Sequence, residues 1–212
     1  MTAPTAAVDN AARVRRTQAE RRDESGRRLL QAAAELIVER GVSAATFQNI
    51  GARAGYSRGL ATQRFGSKQG LIDALVAFLE ARQAELMGEL DALPALDAVL
   101  AYVELFLRNL GGAGEARAYF MMMAGAVADL SPQRSAFAKV HEGVERRLEA
   151  LIQRGQAEGT IRAELDADAT ALIIGSLLLG LSIQLLVDPQ MNLEPIRETS
   201  LISLRKTLTA DQ

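Results

Sequence analysis

The sequence contains no cysteine. That excludes disulfides, thiol nucleophiles and cysteine-based metal sites, and it suits a reducing cytoplasm. It contains one histidine, His141. A hydroxyl nucleophile needs an adjacent base, and a metal site needs several ligands, so neither a catalytic site nor a metal or cofactor is expected. Glu142, Glu145 and Glu149 do recur at helical steps, but Arg146 and Arg147 lie between them, and the run reads as a solvated charged face. The N-terminus lacks an apolar leader, so secretion is not expected. No stretch alternates like a strand for long, and nothing repeats at a fixed period.

What is present is helical and unevenly charged. The 212 residues suffice for one large or two small domains with a buried core. Residues 1–68 carry 12 Lys and Arg against 6 Asp and Glu, whereas the remainder carries 12 against 20. Such an asymmetry points to a first part that meets a polyanion and a body that does not. Charge is missing altogether from ATALIIGSLLLGLSIQLLV (169–187). Its length approaches that of a membrane span. Ser176, Ser182 and Gln184 interrupt it, however, and no basic cluster flanks it to set a topology. A buried helix, packed between subunits, is the expected reading, with no membrane, and burial within one subunit is the alternative.

About nine helices are expected, and the class is all-α. Residues 1–24 read as a disordered basic arm, with a solvated tail and a DNA contact both open. A helix from Ser25 carries Leu29, Ala33, Leu36 and Ile37 on one face and stops at Gly41. Thr46, Ser57 and Ser67 are expected to cap helices over 47–54, 58–65 and 68–90. Pro94 opens a helix to Leu110, a loop follows at Gly111–Gly114, and a further helix covers 115–130. Ser131-Pro132 reads as a cap and first-turn proline for a helix to Ala157, loosened at its end by Gly155 and Gly159. The apolar helix over 166–187 and a last one over 193–208 complete the chain.

Two short helices joined by a glycine turn form a helix-turn-helix. Gly51 and Ala54 are small enough for a close crossing, Gly55 can take a positive φ, and Ala61 and Phe65 can face inward. Arg58, Thr62, Gln63 and Arg64 face outward, toward base edges or phosphates.

The runs RRLLQAAAELIVERG (27–41) and TFQNIGARAGYSRGLATQRFGSKQGLIDAL (46–75) resemble the DNA-binding domain of the TetR family of transcriptional regulators. The final GTIRAELDADATALIIGSLLLGLSIQLLVDP (159–189), with the helix after it, is similar to that family's dimerisation helices. The resemblance implies a three-helix DNA-binding head over 25–70, joined to a ligand-binding and dimerisation body over 71–212. It implies a cytoplasmic homodimeric regulator that represses transcription by binding a pseudo-palindromic duplex operator. A small hydrophobic effector would release it. It places Arg28, Thr46, Ser57, Arg58, Gly59, Leu60, Thr62, Gln63, Arg64 and Lys68 at the DNA. For Arg28 and Thr46 a phosphate contact and a structural role stay equally open. Gln63 can pair with adenine and Arg64 with guanine, although Arg64 can equally hold a phosphate. The family often carries aromatic residues where this sequence has Thr62, Gln63 and Arg64, and alanine where it has Gly51.

In the body the resemblance implies a pocket lined by Tyr102, Phe106, Tyr119, Phe120, Met122, Met123, Phe137 and His141, all of which ordinary core packing would also explain. A two-fold seam is expected at Leu177, Leu178, Leu181, Leu185, Ile196, Leu201 and Leu204. The rival reading is a helical adaptor that binds protein without sequence-specific DNA recognition.

Overall fold

A computed structural model describes residues 17–112 and 114–210, the side chains at 82, 83, 85–87 and 112 excepted. It contains α1 (Gln18–Arg40), α2 (Phe47–Ala54), α3 (Arg58–Phe65), α4 (Lys68–Leu90), α5 (Ala95–Gly112), α6 (Gly114–Ala128), α7 (Arg134–Ala157), α8 (Ala167–Val187) and α9 (Leu193–Leu208). A short 3-10 turn over Val42–Ala44 links α1 to α2. Among the described residues there is no strand, only a single antiparallel bridge between Ile161 and Thr209.

α1 begins seven residues before the expected Ser25. Thr17 and Glu20 form a reciprocal capping box: the Glu20 N–H donates to Thr17 Oγ1 at 3.2 Å, and the Thr17 N–H to Glu20 Oε2 at 2.8 Å. The expected arm therefore ends at the cap, and its residues 1–16 lie outside the described residues. The first turns are held by charge rather than by an apolar face, as in the Arg28–Glu24 pair at 2.6 Å. From Leu29 onward the apolar face takes over, and Leu29, Ala33, Leu36 and Ile37 are buried.

α1 packs on α2 and also on α6, so one helix belongs to both halves of the molecule. α4 likewise begins beside α3 and continues along the body. The body stacks α7 against α8, α5 against α7, and α9 against α5.

Three expectations change in the body. The anticipated loop at 111–114 is nearly absent, because α5 runs through Gly112 and α6 opens at Gly114. Ser131 does not cap α7. Its hydroxyl accepts from the Gln133 N–H at 3.3 Å, closing a tight turn, and α7 starts at Arg134 without a side-chain cap. Gly155 does not loosen α7 either. A Cβ there would lie 2.5 Å from Ile161 Cδ1, so the missing side chain lets the fully buried Ile161 seat against the helix.

Asp166 caps α8, whose length and apolar composition would suit a membrane span. In this fold Ala171, Ile174, Leu178, Leu181 and Leu185 enter the core. A second apolar stripe on α8 stays open, with Leu172 53% and Ile173 66% exposed.

Candidate nucleic-acid interface and body cavity

The head is set by local hydrogen bonds. Thr46 Oγ1 accepts from the Asn49 N–H at 3.2 Å, Ser57 Oγ from Leu60 at 3.2 Å, and Ser67 Oγ from Gly70 at 3.0 Å. Each satisfies an amide that the helix itself leaves unpaired. Gly55 ends α2 in the left-handed conformation, φ 76° and ψ 27°. The chain then turns so tightly that a Cβ on Gly51 would sit 3.0 Å from the carbonyls of Tyr56 and Ser57. Gly51 therefore allows a crossing that the commoner alanine would tighten.

α3 is seated by Ala61 and Phe65, both buried, and the Phe65 ring stacks on Phe47 at 6.2 Å. Leu60 is half-buried against the same core. Arg58, Gly59, Thr62, Gln63, Arg64 and Lys68 are exposed. Arg28, Thr46 and Ser57 are exposed as well, so nine of the ten expected DNA-facing residues are exposed and Leu60 is the exception.

Several of these side chains also have local partners. Thr46 and Ser57 use their hydroxyls as caps, although their positions at helix N-termini keep amides available to a phosphate. Arg28 is paired with Glu24. The Thr62 hydroxyl donates to the Arg58 carbonyl at 3.0 Å, which leaves its lone pairs free to accept. The Arg64 guanidinium lies back over α1, close enough that a Cβ on Gly26 would sit 2.8 Å from its Nη2.

Sequence reasoning missed Arg53. Its guanidinium donates to Glu39 at 2.6 Å and lies 3.6 Å from Glu35, tying α2 to α1. The hydrogen bond from Arg53 holds the Glu39 carboxyl below its ordinary value. The signal was present in the sequence: Glu35 and Glu39 share one face of α1, opposite a lone arginine.

A cavity of about 200 Å³ opens in the body between α4, α5, α6, α7 and α8. Five of the eight expected lining residues meet there: Tyr102, Phe106, Tyr119, Phe120 and His141. Their rings form a chain, Phe106 to Phe120 at 6.3 Å and Phe120 to Tyr119 at 5.1 Å, both edge-on. His141 stacks on Tyr119 at 6.3 Å, and burial pushes its imidazole below its ordinary value. Burial, reinforced by the Glu80 carboxylate, pushes the Tyr119 phenol up. Met122 and Met123 are buried outside this lining, and Phe137 packs behind Tyr119 at 5.2 Å. The wall also includes Leu172, Ser176 and Glu145, and Leu79, Val144, Ala171 and Leu179 are among its aliphatic residues. No sequence signal marked them, since aliphatic side chains look alike in core and cavity.

At the expected seam Leu178, Leu181 and Leu185 are buried within the chain, while Leu177, Ile196, Leu201 and Leu204 are half-buried. The open apolar surface is offset from them, at Leu172, Ile173 and Val187 of α8 and Ile202 of α9. α8 is apolar nearly all round, so its periodicity could not select the face that stays open.

A glycine-turned pair of short helices, with a capped second helix offering polar and basic side chains to solvent, defines a helix-turn-helix DNA-binding regulator. Comparison with known proteins agrees. Residues 29–75 match the family described as "Bacterial regulatory proteins, tetR family". The HTH-type transcriptional regulator TtgR of Pseudomonas putida is 30% identical over 178 residues, covering 79% of this chain and 82% of that protein. Among solved structures, NalD, the secondary repressor of the MexAB-OprM multidrug efflux pump in Pseudomonas aeruginosa, shares the fold with a TM-score of 0.71 at 20% identity, over 91% of this chain and 99% of that one. The SmeT–triclosan complex does so with a TM-score of 0.74 at 21% identity, over 89% and 93%. The chain belongs to the TetR family and is a transcriptional regulator rather than an enzyme.

Proposed function

We propose that the protein acts in the cytoplasm as a two-fold homodimer that represses transcription from a pseudo-palindromic operator, and that a small hydrophobic effector bound in the body cavity releases it. The observation that carries the reading is the exposed set Arg58, Thr62, Gln63 and Arg64 on α3, a helix fixed by Ser57, Gly51 and Phe65, with Lys68 exposed at the start of α4. Residues 25–70 supply the DNA-binding head and 71–212 the effector-binding and dimerisation body. Gln63 and Arg64 read bases, Lys68 holds a phosphate, and Arg58 and Thr62 fix the register. Arg64 must swing off Gly26 to reach the groove.

The open stripe at Leu172, Ile173 and Ile202 supports a dimer through α8 and α9, with Leu177, Leu201 and Leu204 at its edges. The same stripe, covered by a partner rather than by lipid, accounts for the apolarity of α8. α1 and α4 each touch both halves, so a ligand wedged against Leu79 of α4 has a mechanical route to the head. Release requires that the effector bind the two head arrangements with different affinity. Relatives support this reading: NalD is a repressor, and SmeT was solved with triclosan.

The test is the salt dependence of duplex binding. The expected log–log slope is about −0.9 per phosphate contact, and Lys68→Ala should make it shallower by about one contact. A helical adaptor without DNA recognition would show neither the slope nor the change.

A further inference from the structure

A glycine inside α1 has no role in the helix that carries it. Glycine within a helix is costly relative to alanine, because it has more backbone freedom to lose. Gly26 is nevertheless buried. The three atoms nearest to a Cβ built on it all belong to the Arg64 guanidinium: Nη2 at 2.8 Å, Nε at 3.0 Å and Cζ at 3.2 Å. An alanine would fill that space, so α1 gives up helix propensity at the place where Arg64 of the recognition helix rests. Arg64 is exposed otherwise, and among the described residues no carboxylate holds it. Arg53 of the same head is tied, by contrast, to Glu39 and Glu35. A guanidinium is flat and weakly hydrated, so it can lie on bare backbone without a counter-charge. The rest position is therefore set by shape, and a better acceptor can empty it. Guanine presents one in the major groove through O6 and N7.

We propose that Gly26 is a positioning residue for DNA reading: the notch it leaves in α1 holds Arg64 back in the free protein, so that Arg64 joins the contact only where the duplex offers a matching base. The inference rests on the reading of Arg64 as a base contact. The withdrawn population lowers apparent affinity in proportion to its share. Gly26→Ala closes the notch by displacing only the end of a flexible side chain, and it alters no DNA-facing residue. The test compares the parent, Gly26→Ala, Arg64→Ala and the double variant on two probes. One is the duplex that the parent selects from a random pool, and the other is an unselected random-sequence duplex of equal length. Gly26→Ala should tighten the selected duplex by about three- to tenfold per head, the gain expected if the notch holds Arg64 for roughly two-thirds to nine-tenths of the time. The random duplex should gain less, and in the Arg64→Ala background the same change should do nothing. Its Tm should not fall, since alanine favours the helix. By NMR, Gly26 Hα should show NOEs to the Arg64 side chain in the free chain and lose them on the selected duplex. No gain, an equal gain with and without Arg64, or no such NOEs in the free chain overturns the proposal. So does weaker binding of both duplexes with a salt slope shallower by about one contact, because Arg64 would then hold a phosphate from the notch. If Arg64→Ala leaves the selected duplex unaffected, the base-contact reading fails and the proposal falls with it. If Arg64→Ala weakens that duplex while Gly26→Ala is silent, the notch assignment alone is wrong.

Discussion

The seating of the recognition helix depends on a glycine outside it. Gly70 lies in the first turn of α4, and a Cβ there would sit 2.0 Å from the Phe65 carbonyl oxygen at the end of α3. That oxygen would have to retreat by roughly 1 Å to reach a tolerable spacing, and overpacking of this kind costs about 1–3 kcal/mol. The carbonyl is not free to move. It accepts from the Ser67 N–H at 2.7 Å, and its residue carries the ring stacked on Phe47. Alanine in a helix interior gains about 1 kcal/mol over glycine, which offsets part of this, so Gly70→Ala should lose up to about 2 kcal/mol net. For a chain of this size that lowers Tm by up to about 8 °C, measured by calorimetry or circular dichroism. Gly143→Ala is the matched control. It lies within α7, a Cβ there meets nothing within 4 Å, and only the propensity gain remains. Its Tm should rise by about 2–4 °C. Opposite signs for one chemical change would isolate the close approach. A Gly70→Ala variant as stable as the parent, with duplex affinity intact, would mean that the close approach does not seat α3.

The ion pair and the open stripe carry expectations of their own. Glu39 is held below its ordinary value of 4.5 by Arg53, so its contribution to stability is complete above that pH and is lost as pH falls through the depressed folded value. Thermal melts should therefore show Glu39→Gln less stable than the parent at neutral pH, with the gap closing below about pH 4.5; a gap that widens in acid would contradict this. Ile173→Glu with Ile202→Glu puts charge onto the stripe that is 66% and 70% exposed in the single chain. Sedimentation should show the parent as a dimer and the double variant as a folded monomer, whereas an unchanged dimer would place the interface elsewhere.

Local physics was the most legible part of the sequence. Thr46, Ser57 and Ser67 cap the helices expected of them, because a cap and its amide lie within three residues of each other. The start of α1 was hidden because its first turns are held by a capping box and ion pairs rather than by an apolar period. Close approaches were invisible for a different reason. Gly26 beneath Arg64 is a product of chain crossing, while Gly70 against Phe65 and Gly155 against Ile161 depend on how sharply the chain reverses within five or six residues, which residue types alone do not reveal. The cavity shows both limits. Tyr102, Phe106, Tyr119, Phe120 and His141 stood out by type, whereas Leu79, Val144 and Ala171 join them only through tertiary packing, and the same packing puts Met122 and Met123 outside the lining. On α8 the composition gave burial but not direction, which is why the open stripe falls beside the expected seam rather than on it.

Whether α3 reads DNA as half of a two-fold pair is decided by selecting bound duplexes from a random pool. A dimer of such heads should enrich an inverted repeat with half-site centres about 34–36 Å apart, or a multiple of that spacing. Gln63→Ala and Arg64→Ala should then relax the preference at particular positions within each half-site. Enrichment of no sequence, or of a single unrepeated site that neither substitution alters, would contradict it.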